Sequence, residues 1–412
     1  MGGELPAGRL GREYWKFWAA AAASNLGDGV LLAAGPLLAA ALTRDPVLVA
    51  GLTFAQRLPW LLFTLVSGAL VDRLDRRRLM ATVGAFRAVA IGLLGVAVAL
   101  DMATIPLLYA VLFMMGVAET LFDNAAIAVV PAVVPVDGLE KANSRMFGAQ
   151  MVAQELVAPP LGGLLFALVA ATPFLLDAGA LGAAAALLLT MRGRFVAERP
   201  AGQVRGTLLT EIAEGARWLW GHRLLRTLAL AIGLMNLTLT SVTSILVLYA
   251  QQRLGLGPVG YGLLFTAMAV GGIAMSLVAE RVIGWLGRGT AMRVGLVIEA
   301  STHVVLALSR SATLVGATLA LFGAHAIVWS TISTSLRQQL VPARLLGRVN
   351  SVYLLFGAGS MALGAALGGL LAKGFGLTAP FWFAFAAVAG LTAVAWRVLG
   401  GVPASAAGRA AA

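Results

Sequence analysis

The sequence predicts an all-α membrane protein with twelve transmembrane helices in two parallel six-helix repeats, and three observations carry this. The 412 residues are 60% hydrophobic and only 12% charged, with a mean hydropathy of +0.90. That is more apolar surface than a soluble core of this length can bury, so lipid must cover the rest. The apolar residues fall in blocks near the roughly 20 residues that a helix needs to cross about 30 Å of hydrocarbon, whereas spanning strands would be about half as long and alternating. The blocks also repeat: Pro135, Asn143, Ser144 and Pro173 recur as Pro342, Asn350, Ser351 and Pro380, each shifted by 207 residues.

In the first half the spans run Tyr14 to Leu42, Val47 to Leu70, Leu79 to Leu100, Ile105 to Val134, Ser144 to Val169, and Thr172 to Met191. In the second they run Leu224 to Tyr249, Val259 to Ala279, Met292 to Leu308, Thr313 to Leu336, Val349 to Leu371, and Ala379 to Leu399. Further repeat marks are Gly162-Gly163 with Gly368-Gly369, Asn25 with Asn236, and Asp72-Arg73 with Glu280-Arg281. Six is even, so both copies cross the bilayer in the same sense, which makes the repeat parallel and suits alternating access. The expected division is an N-terminal half over 1–191, a linker over 192–223 and a C-terminal half over 224–412. Within the linker, Leu209, Ile212, Ala216 and Leu219 at helical spacing predict an amphipathic helix. It would lie along the membrane surface or act as a solvated connector.

Basic residues gather after the even-numbered spans, among them Arg76, Arg77, Arg78, Lys141, Arg192, Arg281, Arg288 and Arg348. The opposite connections hold only Arg44, Arg253, Arg310 and Lys373. The positive-inside rule therefore expects both termini in the cytoplasm of a bacterial cell, with the chain in the inner membrane. Arg9 and Arg12 precede a span-length apolar block without an evident cleavage site, which reads as a retained first helix.

Several function classes drop out. The net charge of +12 is spread between apolar blocks, with no aromatic-basic surface for nucleic acid. There are no cysteines, and His222, His303 and His325 make no metal-ligand spacing; no metal or other cofactor is expected. No phosphate-binding loop and no nucleophile-base set suggest an ATPase or another enzyme.

The stretch Gly68-Ala-Leu-Val-Asp72-Arg73-Leu-Asp75-Arg76-Arg77-Arg78, closing the second span, resembles the signature loop of the major facilitator superfamily, in the form of its enterobactin-exporter and macrolide-efflux branch. Asp75 stands where that pattern usually has Gly. The resemblance continues through Ser24-Asn25-Leu26-Gly27-Asp28-Gly29, Arg57-Leu58-Pro59-Trp60, Leu139-Glu-Lys-Ala-Asn143-Ser144 and Gly347-Arg348-Val-Asn350-Ser351, and covers nearly the whole chain. It implies the major facilitator fold and a gating role for Gly68, Asp72, Arg73, Arg76 and Arg77. A carboxylate at a helix end can accept from a neighbouring helix N-terminus or an Arg and hold the inside closed. In the fifth span, Ala158-Pro159-Pro160-Leu161-Gly162-Gly163 is similar to the superfamily's antiporter motif, with Ala158 for its first Gly and Pro160 additional. Pro159, Pro160, Gly162 and Gly163 can make a packing hinge, or simply pack.

An ionisable side chain inside the hydrocarbon costs roughly 2.5 kcal/mol or more, so each marks a candidate site. Glu119 and Asp123 lie four apart on one helical face, where two like charges cannot both ionise cheaply. With Asp28 and Glu155 they are the expected proton-coupling acids. Asp28 and Arg57, at comparable depth, are expected to form an intramembrane ion pair. Asp177 and Glu299 are read as structural. The resemblance places the first, fourth, seventh and tenth spans around a central cavity, which Asn25, Asn124, Gln150, Asn236, His325 and Trp329 would line; His325 could shuttle protons there. The expected function is a proton-coupled secondary exporter of drug-like amphipathic or cationic compounds or natural products. A siderophore exporter, an uptake carrier and a non-transporting sensor are the alternatives. The expected partners are a small-molecule substrate, protons and membrane lipid, with the chain acting as a monomer.

Overall fold

The computed structural model describes residues 10–71, 74–193, 195 and 208–402. Among these, twelve helices are long and apolar enough to cross a membrane. They are α1 (Arg12–Leu42), α2 (Pro46–Val71), α3 (Arg76–Ala99), α4 (Ile105–Val133), α5 (Leu139–Leu168), α6 (Thr172–Leu189), α7 (Arg223–Thr243), α8 (Pro258–Ser276), α9 (Arg288–Leu308), α10 (Ala312–Leu340), α11 (Ala343–Phe375) and α12 (Ala379–Gly400). No strand occurs among the described residues.

Local chemistry sets the helix ends. Thr104 caps α4 by accepting from the Leu107 N–H, and Ser311, at the equivalent repeat position, caps α10 through the Leu314 N–H. Asp75, the departure from the signature pattern, accepts from the Arg78 N–H at 2.9 Å and caps α3. The seventh span ends earlier than expected, at Thr243, and a short helix Leu246–Gln252 follows. Ser241 donates to the Thr238 carbonyl and Ser244 to the Ser241 carbonyl, and such back-bonding competes with the helical ladder. Residues 151–157 of α5 are π-helical. Pro159 and Pro160, just beyond, cannot donate to the carbonyls four residues earlier. The Leu156 carbonyl accepts instead from the Thr266 hydroxyl at 2.9 Å.

The chain forms two compact units. Unit 1 comprises Met1–Thr43, Ala55–Gln203 and Gly257–Thr266, and unit 2 comprises Arg44–Phe54, Val204–Leu256 and Ala267–Ala412. Within unit 1, α3 packs on α6 and α4, and α1 on α5 and α6. Unit 2 repeats this arrangement with α9 on α12 and α10, and α7 on α11 and α12. Burial follows the same register. Met80, Arg87, Ile91 and Leu94 of α3 and Met292, Glu299, His303 and Leu306 of α9 are all buried, at a constant shift of 212 residues. A duplicated six-helix unit, seen in sequence as shared prolines, is thus also a duplicated packing plan.

Small residues allow the close approaches. A Cβ on Gly162 would lie 2.5 Å from the Val30 carbonyl of α1, and one on Gly368 would lie 2.0 Å from the Ser241 carbonyl of α7. These are equivalent helix pairs, so the small side chain is required in both units.

The linker helix Leu208–Gly221 docks on α11 within unit 2. Gly215 abuts the backbone of Arg348, Glu214 pairs with the Arg348 guanidinium, Leu219 is fully buried and Trp220 stacks on Phe356. Of the predicted apolar face, Leu219 is thus buried against protein.

Candidate functional site

The signature loop falls partly outside the described residues, which exclude Asp72 and Arg73. Gly68 lies within α2. The described arginines tie helix ends inside unit 1. Arg76 donates to the Ala128 carbonyl of α4 at 3.1 Å, and Arg77 to the Met191 carbonyl beyond α6, where its guanidinium also sits over the Phe195 ring. A cation at carbonyls near a helix C-terminal end is favourably placed.

In α5, Gly163 meets the Pro258 carbonyl, and Gly262 approaches the Pro159 carbonyl in return; a Cβ on either would lie 2.3 or 2.4 Å away. The motif residues Pro159, Pro160, Gly162 and Gly163 are therefore placed where α5 meets α1 and residues 257–266, all within unit 1. Glu155 lies in the π-helical stretch and is exposed, with Gln150 donating to Gln154 one turn before it at 3.2 Å.

The charged centre of unit 1 differs from expectation in its cation. Asp28 does not pair with Arg57 but with Arg87 of α3. Arg87 is only 1% exposed, and it also donates to the Ser24 hydroxyl at 2.9 Å. Its guanidinium lies over the Phe122 ring at 5.9 Å. The same electrostatic neighbourhood holds Glu119 and Asp123 of α4 and Asp177 of α6. One guanidinium thus faces four carboxylates from three helices. Asp177 is buried, neither of its oxygens has a hydrogen-bond partner, and Gly27 makes room for it, since a Cβ there would overlap the carboxylate. Asn124, expected on the cavity wall, donates to Ser67 of α2 at 2.6 Å. Asn25 lies half-buried on α1, one turn before the same centre.

Sequence reasoning missed Arg87. The signal was present, because Arg87, the ninth residue of the span that opens at Leu79, satisfies the criterion that singled out Arg57.

Unit 2 carries a cavity of about 300 Å³ to which α9 contributes Glu299, α7 contributes Asn236 among apolar side chains, and α10 contributes His325, Trp329 and Arg337 with small hydroxyl and apolar side chains. Three expected cavity residues, Asn236, His325 and Trp329, are thus brought together. Glu299, expected to be structural, joins them and is fully buried. Neither Glu299 oxygen has a hydrogen-bond partner, although His325 Nε2 stands 3.5 Å from one.

Twelve spans whose packing plan repeats between two units, with polar centres buried inside each, define a transporter of the major facilitator superfamily. Residues 12–408 match the family described as transmembrane secretion effector, and the chain belongs to that family, one of transporters rather than enzymes. It is 26% identical over 375 residues to the multidrug efflux pump Tap of Mycolicibacterium fortuitum, covering 88% of this chain and 90% of the relative. Its fold is similar to that of the nucleoside transporter NupG, with a TM-score of 0.75 at 11% identity, over 95% of this chain and 100% of that one. It is also similar to a bacterial homologue of the iron transporter ferroportin in an inward-facing state, with a TM-score of 0.72 at 18% identity, over 95% and 99%. At these identities the two structures speak to fold alone.

Proposed function

We propose that this protein is a proton-coupled secondary exporter of drug-like amphipathic or cationic compounds or natural products, working by alternating access. It would act as a monomer in the bacterial inner membrane with both termini cytoplasmic. The observation that carries the reading is the ratio of charges around Arg87. Asp28 balances the guanidinium, and among the described residues no ion pair gives Glu119, Asp123 or Asp177 a cation of its own in a low-dielectric bundle. Three further carboxylates cannot all ionise there cheaply, so the centre holds protons and can lose them when hydration or a cation changes the balance.

Glu119 and Asp123 are the coupling acids in this scheme. Both are half-buried on the same face of α4, so a proton can reach them, whereas Asp177 is sealed behind Gly27. Asp28 is held by Arg87 and sets the local potential, and Glu155, outside this cluster, is the reserve candidate. A cationic solute entering from the cytoplasm competes for the same negative charge. Export as the direction is supported by the similarity to a multidrug efflux pump and by the antiporter-like prolines and glycines. The signature-loop residues Gly68, Asp72, Arg73, Arg76 and Arg77 would serve the inside gate.

The test is flux in proteoliposomes across cationic dyes, macrolides and catecholate siderophores, with and without an imposed pH gradient. Gradient-dependent movement of a dye or macrolide against its concentration is expected. Flux indifferent to the pH gradient for every compound would refute the coupling.

A further inference from the structure

We infer that unit 2 contains a second exchange site, in which Glu299 binds either one proton or one organic cation in the cavity beside Trp329. The inference rests on the exporter reading above and deepens it by naming where the cation sits. Glu299 is fully buried at the centre of α9 and lines the 300 Å³ cavity, and neither of its oxygens is hydrogen-bonded. A bare carboxylate in such a place needs a proton or a cation. No arginine fills that role. In the equivalent position of unit 1 the side chain is itself the cation, Arg87.

The neighbours are built to handle one positive charge. His325 is seated on the surface of α9, with Nδ1 against Gly295, where a Cβ would come within 3.2 Å, and Nε2 at 3.5 Å from the Glu299 carboxylate. His303 lies one turn beyond Glu299 and is also buried. The other ionisable group on the cavity is Arg337 of α10, whose guanidinium is spent on the Tyr353 ring at 4.4 Å and on Thr334. The remaining charges on α9 are Arg288, bonded to Gln339, and Arg293, bonded to the Trp396 carbonyl. On α7 they are Arg223 and Arg226 in the first turn, and on α12 Arg397 near the end. None of these reaches Glu299 as an ion pair among the described residues.

With its proton on either Glu299 or His325, the pair is neutral. Without the proton it carries one negative charge facing Phe322, Trp329, Met235 and Leu239. A carboxylate beside aromatic and aliphatic walls suits a tertiary or quaternary ammonium, and the cavity falls at the small end of ligand-site volumes. The step balances as an exchange. The carboxylic proton of Glu299 passes to His325 and out to water, and the ammonium takes its place against the carboxylate, with no net change in the charge of the site.

The test is calorimetry on the purified full-length protein with benzyltrimethylammonium, which does not titrate, in buffers of differing ionisation enthalpy. One proton should be released per cation bound, and affinity should rise about tenfold per pH unit while the proton occupies the site. Glu299→Gln should weaken binding about 30-fold or more and abolish the pH slope. Glu119→Gln with Asp123→Asn removes whatever binding the unit 1 acids contribute but should retain a proton-releasing, pH-dependent component that Glu299→Gln abolishes, which separates this site from the coupling acids. If Glu299→Gln keeps the affinity and the proton release, while the double variant loses them, the site in unit 2 is refuted and the exporter reading stands. A comparison on the wild-type chain needs no variant. The uncharged isostere with a quaternary carbon for the nitrogen should bind with no pH slope, and equal slopes for both ligands would also overturn the inference. Failure of gradient-driven flux would instead strike the exporter reading, because equilibrium binding does not depend on it.

Discussion

Unit 1 and unit 2 share a packing plan and differ in the charge at its centre. At the same buried register, α3 presents Arg87 and α9 presents Glu299. The charge of Arg87 is felt by Asp28, Glu119, Asp123 and Asp177, while Glu299 has His325 beside it and opens on a cavity with aromatic and aliphatic walls and a few polar groups. Asp28 has Leu239 as its equivalent on α7, so the acid that answers the arginine in one unit is replaced by a cavity wall in the other. Duplication fixed the scaffold, and divergence at a few inward positions made one centre a crowded ionic cluster and the other a carboxylate with room beside it.

The contrast is broken most sharply by removing each central charge. Arg87→Met strips Asp28 of its cation and should cost about 3–5 kcal/mol, read as a large fall in the unfolding temperature in detergent. Glu299→Gln removes no ion-pair partner of this kind and should cost less than about 1.5 kcal/mol. Equal losses would mean that the two centres are energetically alike.

A smaller effect tests what the units have in common. Gly162→Ala and Gly368→Ala each press a methyl into a facing carbonyl, and each should cost about 1–3 kcal/mol. If only Gly162→Ala slows flux at matched stability, the antiporter-like stretch has a role beyond packing. The smallest effect is expected at the linker helix. Arg348→Gln removes a half-exposed pair with Glu214 and should change stability by under about 1 kcal/mol. Thermal unfolding in detergent checks this, and a far larger loss would show that the pair, rather than the packing of Leu219 and Trp220, holds the helix.

Much of this was legible in the sequence. Apolar block length gave all twelve spans, because hydrocarbon thickness leaves a helix little freedom in length. The shared prolines and asparagines gave the repeat. The four-residue spacing of Glu119 and Asp123 puts both on one face of α4. What escaped was pairing across helices. Asp28 and Arg57 stood at similar depth, but depth does not decide which side of a helix turns inward, and Arg87 held the inward position. The equivalence of Arg87 with Glu299 was hidden as well, because the repeat shift changes from 212 residues in α3 and α9 to 207 in α4 and α10 as helix and connection lengths differ. The linker helix docks on α11, whose Arg348 lies 134 residues from Glu214, a distance over which amphipathic spacing carries no information about the partner.

In the proposed mechanism the excess carboxylates of unit 1 carry the coupling proton. The direct measurement is accumulation of an organic cation against its own gradient in proteoliposomes under an imposed proton gradient, comparing the wild type with the Glu119→Gln and Asp123→Asn double variant. The account predicts that the double variant loses uphill export while retaining some downhill movement of the same compound. Concentration of the cation at the wild-type rate by the double variant would contradict it and place the coupling at Asp28, Glu155 or outside unit 1.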